Sequence, residues 1–349
     1  MKLTNKETDV FGLDIGTTAI RCVQFKRDSQ GSFNLHTYGE VPIDDSVSRT
    51  ESEQDRKKVA ESIQQLVKDA RISTDHVVAG LPSDKVFSSI VSLPVVEDKE
   101  LPQAVEYQVE QNIPMAVSEA KVDWRILRRD EQQQQTEVLL VATHKDNPEA
   151  LLSLLESIGL DLVAVEPDAL ASTRSLVSRT NESPLAVVDV GAYAADIVVA
   201  RGQDPWVIRN ATVGGNTVIK TASQNLNVDL EQAGQFVRKF GMTKTKLEGQ
   251  VYNAIKPTVD SLVDEVSKSI KFFNSRYSSD AIEKVVLTGG VVGWPDLPVY
   301  IADSLGLPVE LGNSWINTMY PANQQDSLMQ ISNRFAVASG LAQRTSHDE

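Results

Sequence analysis

Thiol chemistry is all but absent from this 349-residue chain, which carries a single cysteine, Cys22. One thiol excludes an intramolecular disulfide and points to a reducing compartment. Cys22 lies in the apolar run Ile20-Arg21-Cys22-Val23, with no histidine or second cysteine close in sequence, and reads as a core residue. Histidine is scarce as well. The four present, His36, His76, His144 and His347, show no ligand spacing, and no zinc site is expected. Basic residues are outnumbered, 34 Lys and Arg against 48 Asp and Glu, for a net charge of −14. That balance argues against a nucleic-acid footprint and against unaided adsorption to an anionic membrane. Long hydrophobic runs are missing too. The longest, residues 185–200, is broken by Asp189 and Asp196, so no direct membrane insertion is expected. Residues 1–9 are polar, without a signal-peptide core, and the tail 343–349 lacks an amphipathic anchor pattern. Any membrane association would come through a partner.

What remains is ordinary for a soluble globular protein, 41% apolar and 23% charged, with length enough for two medium domains. Within it one short pattern occurs twice. Near the start the chain reads Val10-Phe11-Gly12-Leu13-Asp14-Ile15-Gly16-Thr17-Thr18, and 175 positions later Val187-Val188-Asp189-Val190-Gly191-Ala192-Tyr193. Each copy is an apolar strand, an aspartate and glycine in a tight turn, then a second apolar strand. A glycine there exposes backbone N–H groups to an approaching phosphate. The neighbouring carboxylate can hold a hydrated divalent cation against it. Two such turns suggest two similar half-domains facing each other across a nucleotide. A third element, Leu287-Thr288-Gly289-Gly290-Val291, is a buried strand running into paired glycines, where backbone can approach a ring or ribose.

Periodicity supplies the rest of the outline. Strands are expected at 9–13, 19–27 and 32–40, then a helix with Val59, Ile63, Leu66, Val67 and Ala70 on one face, and a strand at 76–80. Residues 85–159 form a distinct βαββα insert, with strands at 86–93, 121–129 and 137–144 and helices at 97–111 and 148–158. The glutamine run 132–135 reads as a solvated turn tip. A strand at 160–165 and a helix at 168–178 follow, and polar residues 179–183 mark a boundary. The second half is expected to carry strands at 185–190, 195–201, 206–212 and 285–287. Its helices fall at 216–225, 230–240, 258–273 and 334–344. The four tryptophans, Trp124, Trp206, Trp294 and Trp315, are scattered and read as packing residues.

These landmarks resemble the actin/Hsp70/sugar-kinase ATPase superfamily. Within it the chain is similar to the PilM family of type IV pilus assembly proteins and to the related FtsA branch. The carriers are Gly12-Leu13-Asp14-Ile15-Gly16-Thr17-Thr18, Asp189-Val190-Gly191-Ala192, Val213-Gly214-Gly215 and Leu287-Thr288-Gly289-Gly290. The insert singles out PilM, through Ser92-Leu93-Pro94, Glu106-Tyr107-Gln108-Val109-Glu110-Gln111-Asn112-Ile113-Pro114 and Val122-Asp123-Trp124. Ser157-Ile158-Gly159-Leu160, Val165-Glu166-Pro167-Asp168 and the closing Ala338-Ser339-Gly340-Leu341-Ala342 agree with it.

The resemblance implies an α/β, actin-like (ribonuclease H-like) two-domain fold with duplicated βββαβ(α)βα cores and an inserted 1C-type subdomain. Subdomain 1A would take residues 1–84, 160–182 and 332–345, and 1C 85–159. Subdomain 2A would take 183–215 and 281–331, and 2B 216–280. The implied cofactors are ATP and Mg2+. Asp14 and Asp189 would orient Mg2+ through water. Gly16, Thr17 and Thr18 would hold β-phosphate oxygens, with Gly12 beside them among the cofactor-binding residues, and Gly191 and Ala192 would cradle the γ-phosphate. Gly214 and Gly215 would frame the site, while Gly289, Gly290 and Val291 would border the adenosine. Glu166 would position an attacking water, a role set against simple charge at a helix N-terminus.

Departures from the family weaken this set. Gly234 and Val237 stand where an acid and a lysine usually line the nucleoside, and Ala195 stands in place of a threonine. Lys268, on the long helix, is the candidate substitute cation, set against the plainer reading of a solvated lysine on an amphipathic helix. One lost ribose hydrogen bond costs about 1–1.5 kcal/mol, roughly tenfold in affinity, so binding is expected and turnover weak or absent. The implied partner is a PilN-like bitopic inner-membrane protein of the pilus assembly complex, whose extended N-terminal peptide adds to an exposed edge and holds this cytoplasmic chain at the membrane. Self-association stays open. An FtsA-like filament protein and a small-molecule kinase are the alternatives.

Overall fold

Val, Ile and Phe crowd the opening segments, and such side chains favour a pleated, half-buried surface. In the computed structural model, which describes residues 9–48, 52–132, 134–277 and 281–345, they form strands. Along the chain the elements are β1 (Phe11–Ile15), β2 (Ala19–Arg27), β3 (Phe33–Pro42), α1 (Asp45–Ser48), α2 (Glu53–Asp69) and β4 (His76–Leu81). The insert follows as β5 (Val86–Pro94), α3 (Leu101–Asn112), β6 (Ala120–Asp130), β7 (Gln135–His144) and α4 (Asp146–Glu156). Next come β8 (Asp161–Pro167), α5 (Asp168–Leu176), β9 (Pro184–Val190), β10 (Ala195–Arg201) and β11 (Asp204–Ala211). The chain continues with α6 (Gly215–Leu226), α7 (Leu230–Phe240), α8 (Gln250–Arg276), β12 (Val285–Thr288), α9 (Leu297–Leu305) and β13 (Val309–Leu311). It closes with β14 (Thr318–Met319), α10 (Gln325–Ile331) and α11 (Ala336–Ala342). The polar N-terminus up to residue 8, Gln133 in the glutamine tip, and the tail from 346, His347 included, lie outside the described residues.

Two compact units result. The first gathers the described residues up to 175 with 317–324 and those from 337 onward; the second holds 176–316 and 325–336. In the first unit six strands lie in the order β14-β3-β2-β1-β4-β8. The β1–β2–β3 meander is antiparallel, and β4 and β8 run parallel to β1. Its core sets Phe11, Leu13, Ile20 and Cys22 against the α2 stripe Val59, Ile63 and Leu66. Burial pushes the Cys22 thiol up to about 12, so it stays protonated and inert. On α2, the Ser52 side chain caps the helix by accepting from the Asp55 N–H at 3.1 Å.

The insert has a sheet of its own, β5-β7-β6, antiparallel throughout, with Val91, Leu93, Val138 and Leu140 packed on Val105 and Val109 of α3. This is the expected βαββα order.

The second unit repeats the first's strand order as β11-β10-β9-β12-β13, an antiparallel meander followed by two parallel strands. The long helix α8 lays Val259, Leu262, Val266, Ile270 and Phe273 on Ile197 and Val199 of the sheet. It begins eight residues before the expected start. Pro257, just before the expected start, sits inside α8, and the N-terminal boundary falls at Gly249, whose φ of +75° halts the chain in the left-handed region. Sequence periodicity also missed α9, β13 and β14. The pairing of β14 with β3 draws residues 317–324 into the first unit, where the sequence reading had them with the second.

Helix α11 covers the first sheet at backbone distance. A Cβ on Gly12 of β1 would stand 2.2 Å from the Ala338 carbonyl oxygen and 2.5 Å from the Ala342 nitrogen. A Cβ on Gly340 would stand 1.7 Å from the Ala171 carbonyl oxygen of α5. Both obstacles are backbone and cannot swing aside. Gly340→Ala is therefore expected to destabilise the fold by at least about 2 kcal/mol, read as a lower urea midpoint. An unchanged midpoint would contradict this packing.

Candidate functional site

The first repeated turn follows from hairpin pairing. Strands β1 and β2 pair Asp14 with Arg21 and Ile15 with Ile20, which leaves Gly16, Thr17 and Thr18 as the connection. Asp14 is buried at the strand end, Gly16 and Thr17 are half-buried, and Thr18 is exposed. Desolvation pushes the Asp14 carboxyl up, and the Arg21 guanidinium opposes it. Arg21 Nη1 reaches Asp14 Oδ2 at 3.4 Å, while its Nε donates to Glu40 Oε1 at 2.9 Å. Sequence reading passed over Arg21. The signal was available, because a tight turn centred on residues 17 and 18 sets position 21 opposite position 14.

The second turn is built from backbone. The Gly191 N–H donates to the Ala194 carbonyl at 2.9 Å and closes it. The first two N–H groups of α6, from Gly215 and Asn216, donate to the carbonyls of Gly191 and Ala192 at 2.9 and 2.7 Å. In a trans peptide the C=O and the following N–H point in opposite directions, and no cis peptide occurs among the described residues. The N–H groups of Ala192 and Tyr193 therefore point away from α6. Gly214 makes this possible, for a Cβ there would meet Ala192 and Tyr193 backbone at 2.5–2.6 Å.

The third element joins the second. Thr288 is the register partner of Asp189 across β12 and β9. Gly289, at φ +99°, lies so near that a Cβ would stand 2.6 Å from Asp189 Oδ1. Asn333 fastens it: the Gly289 N–H donates to the Asn333 carbonyl at 3.0 Å, and Asn333 Nδ2 donates to the Gly289 carbonyl at 3.0 Å. Gly290 opens onto space with nothing within 4 Å of a Cβ position. Val291 turns its side chain into the core against Gly215, so only its backbone is presented.

Three expected site residues sit elsewhere. Gly12 lies mid-strand under α11, where close packing rather than a ligand accounts for it. Lys268 is exposed on α8 and paired with Glu265 at 2.6 Å, a solvated ion pair. Glu166 is buried in a two-pronged pair with Arg174, Oε2 accepting from Nη2 at 2.8 Å and Oε1 from Nη1, and Arg344 stands 3.7 Å away. Both carboxylate oxygens are engaged by the guanidinium, so the geometry favours a structural ion pair over the water-positioning role. On α7, Arg238 folds its guanidinium over Gly234, with both Nη atoms 3.2 Å from a Cβ position. A cation covers the position where the family pattern has an acid.

A magnesium nucleotide suits the donors present. The carboxylates of Asp14 and Asp189 are hard oxygen donors, and the N–H groups of the second turn suit phosphate. Among the described residues no group of three or more His, Cys, Asp or Glu is gathered to hold a metal.

Known proteins share the fold described above. The family model described as type IV pilus assembly protein PilM matches residues 12–346. A solved PilM-PilN type IV pilus biogenesis complex contains a chain that superposes with a TM-score of 0.82 at 25% identity, covering 97% of this chain and 98% of that one. An MreB of Spiroplasma citri, solved with AMPPNP bound, matches with a TM-score of 0.57 at 13% identity over 96% of this chain and 95% of its own, which establishes the actin-like fold. The ethanolamine utilization protein EutJ of Escherichia coli K12 is 29% identical over 128 residues, 36% of this chain; the match spans 41% of that relative's length.

Breaking the Glu166–Arg174 pair leaves one buried charge alone. Arg174→Ala is expected to cost about 3–5 kcal/mol of stability, measured by denaturant unfolding. A loss below about 1 kcal/mol would show that Arg344 takes over the carboxylate.

Proposed function

This chain belongs to the family of type IV pilus assembly protein PilM, and on that footing we propose that it is an actin-like, nucleotide-binding scaffold of a pilus assembly complex. It works as a recruitment platform whose ATP turnover is weak or absent. Its membrane attachment comes from the N-terminal cytoplasmic peptide of a PilN-like bitopic protein. No helix among the described residues is long and apolar enough to cross a membrane, which suits attachment through a partner.

The observation that carries the reading is the insert. Strands β5, β7 and β6 with α3 form a second small sheet and core inside the first unit, and the likeness to the PilM chain of the PilM-PilN complex runs through it. Such a module is not needed to hold a nucleotide. It adds two sheet edges, β5 and β6, and an exposed Tyr107 on α3, the kind of surface that takes an extended peptide.

Nucleotide is the ligand assigned to the repeated turns, each taken within its own unit. In the first, Asp14 would hold a hydrated Mg2+ and Arg21 would meet a phosphate oxygen; in the second, Asp189 would serve the cation and the Ala192 N–H a phosphate oxygen. Bound Mg2+ would neutralise phosphate charge, and the chain's own groups orient the chain of phosphates. Glu166 supplies no base in this scheme, which agrees with slow hydrolysis.

Isothermal titration with a synthetic peptide of the Asn-Leu-Leu-Pro type, drawn from the cytoplasmic N-terminus of a PilN-like protein, tests the partner. Saturable binding is expected. No heat at about 500 μM peptide, a concentration weaker than almost any specific contact, would refute the partner assignment.

A further inference from the structure

Three charged side chains lie in one row across the first sheet. The register pairs Asp14 with Arg21 and Arg21 with Glu40, so one residue from each of β1, β2 and β3 stands on a common face beside the first turn. The arginine at the centre is not shared evenly. Glu40 Oε1 takes two of its nitrogens, Nε at 2.9 Å and Nη2 at 2.8 Å. Asp14 takes only Nη1, at 3.4 Å. All three are largely withdrawn from water, with side-chain exposures of 9% for Asp14, 15% for Arg21 and 22% for Glu40, so the charges are weakly screened. Nη1 also lies 3.6 Å from the place a Cβ would occupy on Gly16, at the turn itself.

We propose that Glu40 is a positioning residue that holds Arg21 off Asp14 and thereby keeps the Asp14 carboxylate available to a hydrated divalent cation. The inference rests on the nucleotide reading of the same turn. A guanidinium prefers a two-pronged grip on a carboxylate, and two carboxylates compete for this one. With Glu40 in place, the fork is engaged on the β3 side and only its outer nitrogen reaches the turn, where a phosphate oxygen can claim it. Without Glu40, Asp14 is the remaining acidic partner in the row. The fork then closes on Asp14, and the cation must compete with an arginine for the same oxygens. Glu40 acts through Arg21 and touches neither phosphate nor cation.

The test measures binding of a fluorescent ATP analogue to the full chain, in Mg2+ and again in EDTA, and takes the ratio of the two affinities. Glu40→Ala is expected to shrink that ratio about fivefold, the scale of one part-buried ion pair, while affinity in EDTA changes by less than about twofold. Glu40→Gln, which keeps an acceptor oxygen and the volume, is expected to lose less, and it decides the matter if Glu40→Ala does not fold. On an Arg21→Gln background Glu40→Ala is expected to leave the ratio unmoved, because the competitor for Asp14 has gone. An unchanged ratio in both Glu40 variants overturns the proposal, and so does an equal loss in Mg2+ and in EDTA, which is what mere structural damage would give. Absence of nucleotide binding by the unmodified chain would overturn the nucleotide reading together with this inference. Binding by the unmodified chain with an unmoved ratio overturns this inference alone.

Discussion

Backbone laid directly on backbone is the constraint on which the rest of this molecule depends. In the first unit α11 rests on β1 at Gly12 and on α5 at Gly340, at distances where any Cβ would strike main-chain atoms. In the second, the start of α6 rests on the Ala192–Tyr193 turn at Gly214, at the same kind of distance. Contacts this close leave no room for rotamer adjustment, and interiors packed to crystal density transmit rather than absorb displacement. The orientation of each turn is therefore set by whole elements and not by the flexible side chains around it. A phosphate-sized ligand needs donors held in advance, since ordering a loose loop on binding would consume most of the gain.

The end of β8 illustrates the same economy. Sequence reading set Glu166 apart to position a water, and the fold uses it to tie α5 to α11. Arg174 spans both, holding Glu166 with two nitrogens and donating from Nη1 to the Gly340 carbonyl at 2.9 Å. A buried pair of this kind adds little net stability, but it punishes any arrangement that separates its members. Its value is that only one packing of β8, α5 and α11 satisfies it.

Much of this was legible in the amino-acid pattern, and the parts that were not share a cause. The strand-turn-strand repeats, the βαββα insert and the stripe on α8 were visible because each writes its burial into local periodicity. What escaped was decided across space. Gly12 looked like part of a phosphate loop because it stands near one in sequence; its neighbour in the fold is a helix more than 300 residues away. Strand β14 has two residues and no pattern of its own, and exists because β3 offers an edge. Helix α8 was expected from residue 258, though packing on both sides of Pro257 carries it back to Gln250. Arg21 was hidden inside an apolar strand. Only the register, which any slip by one residue would reverse, turns it toward Asp14 and away from the core.

The two copies of the repeated motif now stand apart in kind. The first works through side-chain charge, with a buried aspartate, an arginine and a glutamate in line across three strands. The second carries Asp189, but Ala192 stands in place of Thr17, Ala195 packs into the core, and the turn's backbone is locked by hydrogen bonds from the first two N–H groups of α6. Charges in a part-buried row are weakly screened, so the first turn depends on the balance among three neighbouring ions. Peptide groups locked to a helix terminus depend instead on the packing that holds the helix. The two copies of one motif are thus fixed by different means, each from the register and packing of its own unit.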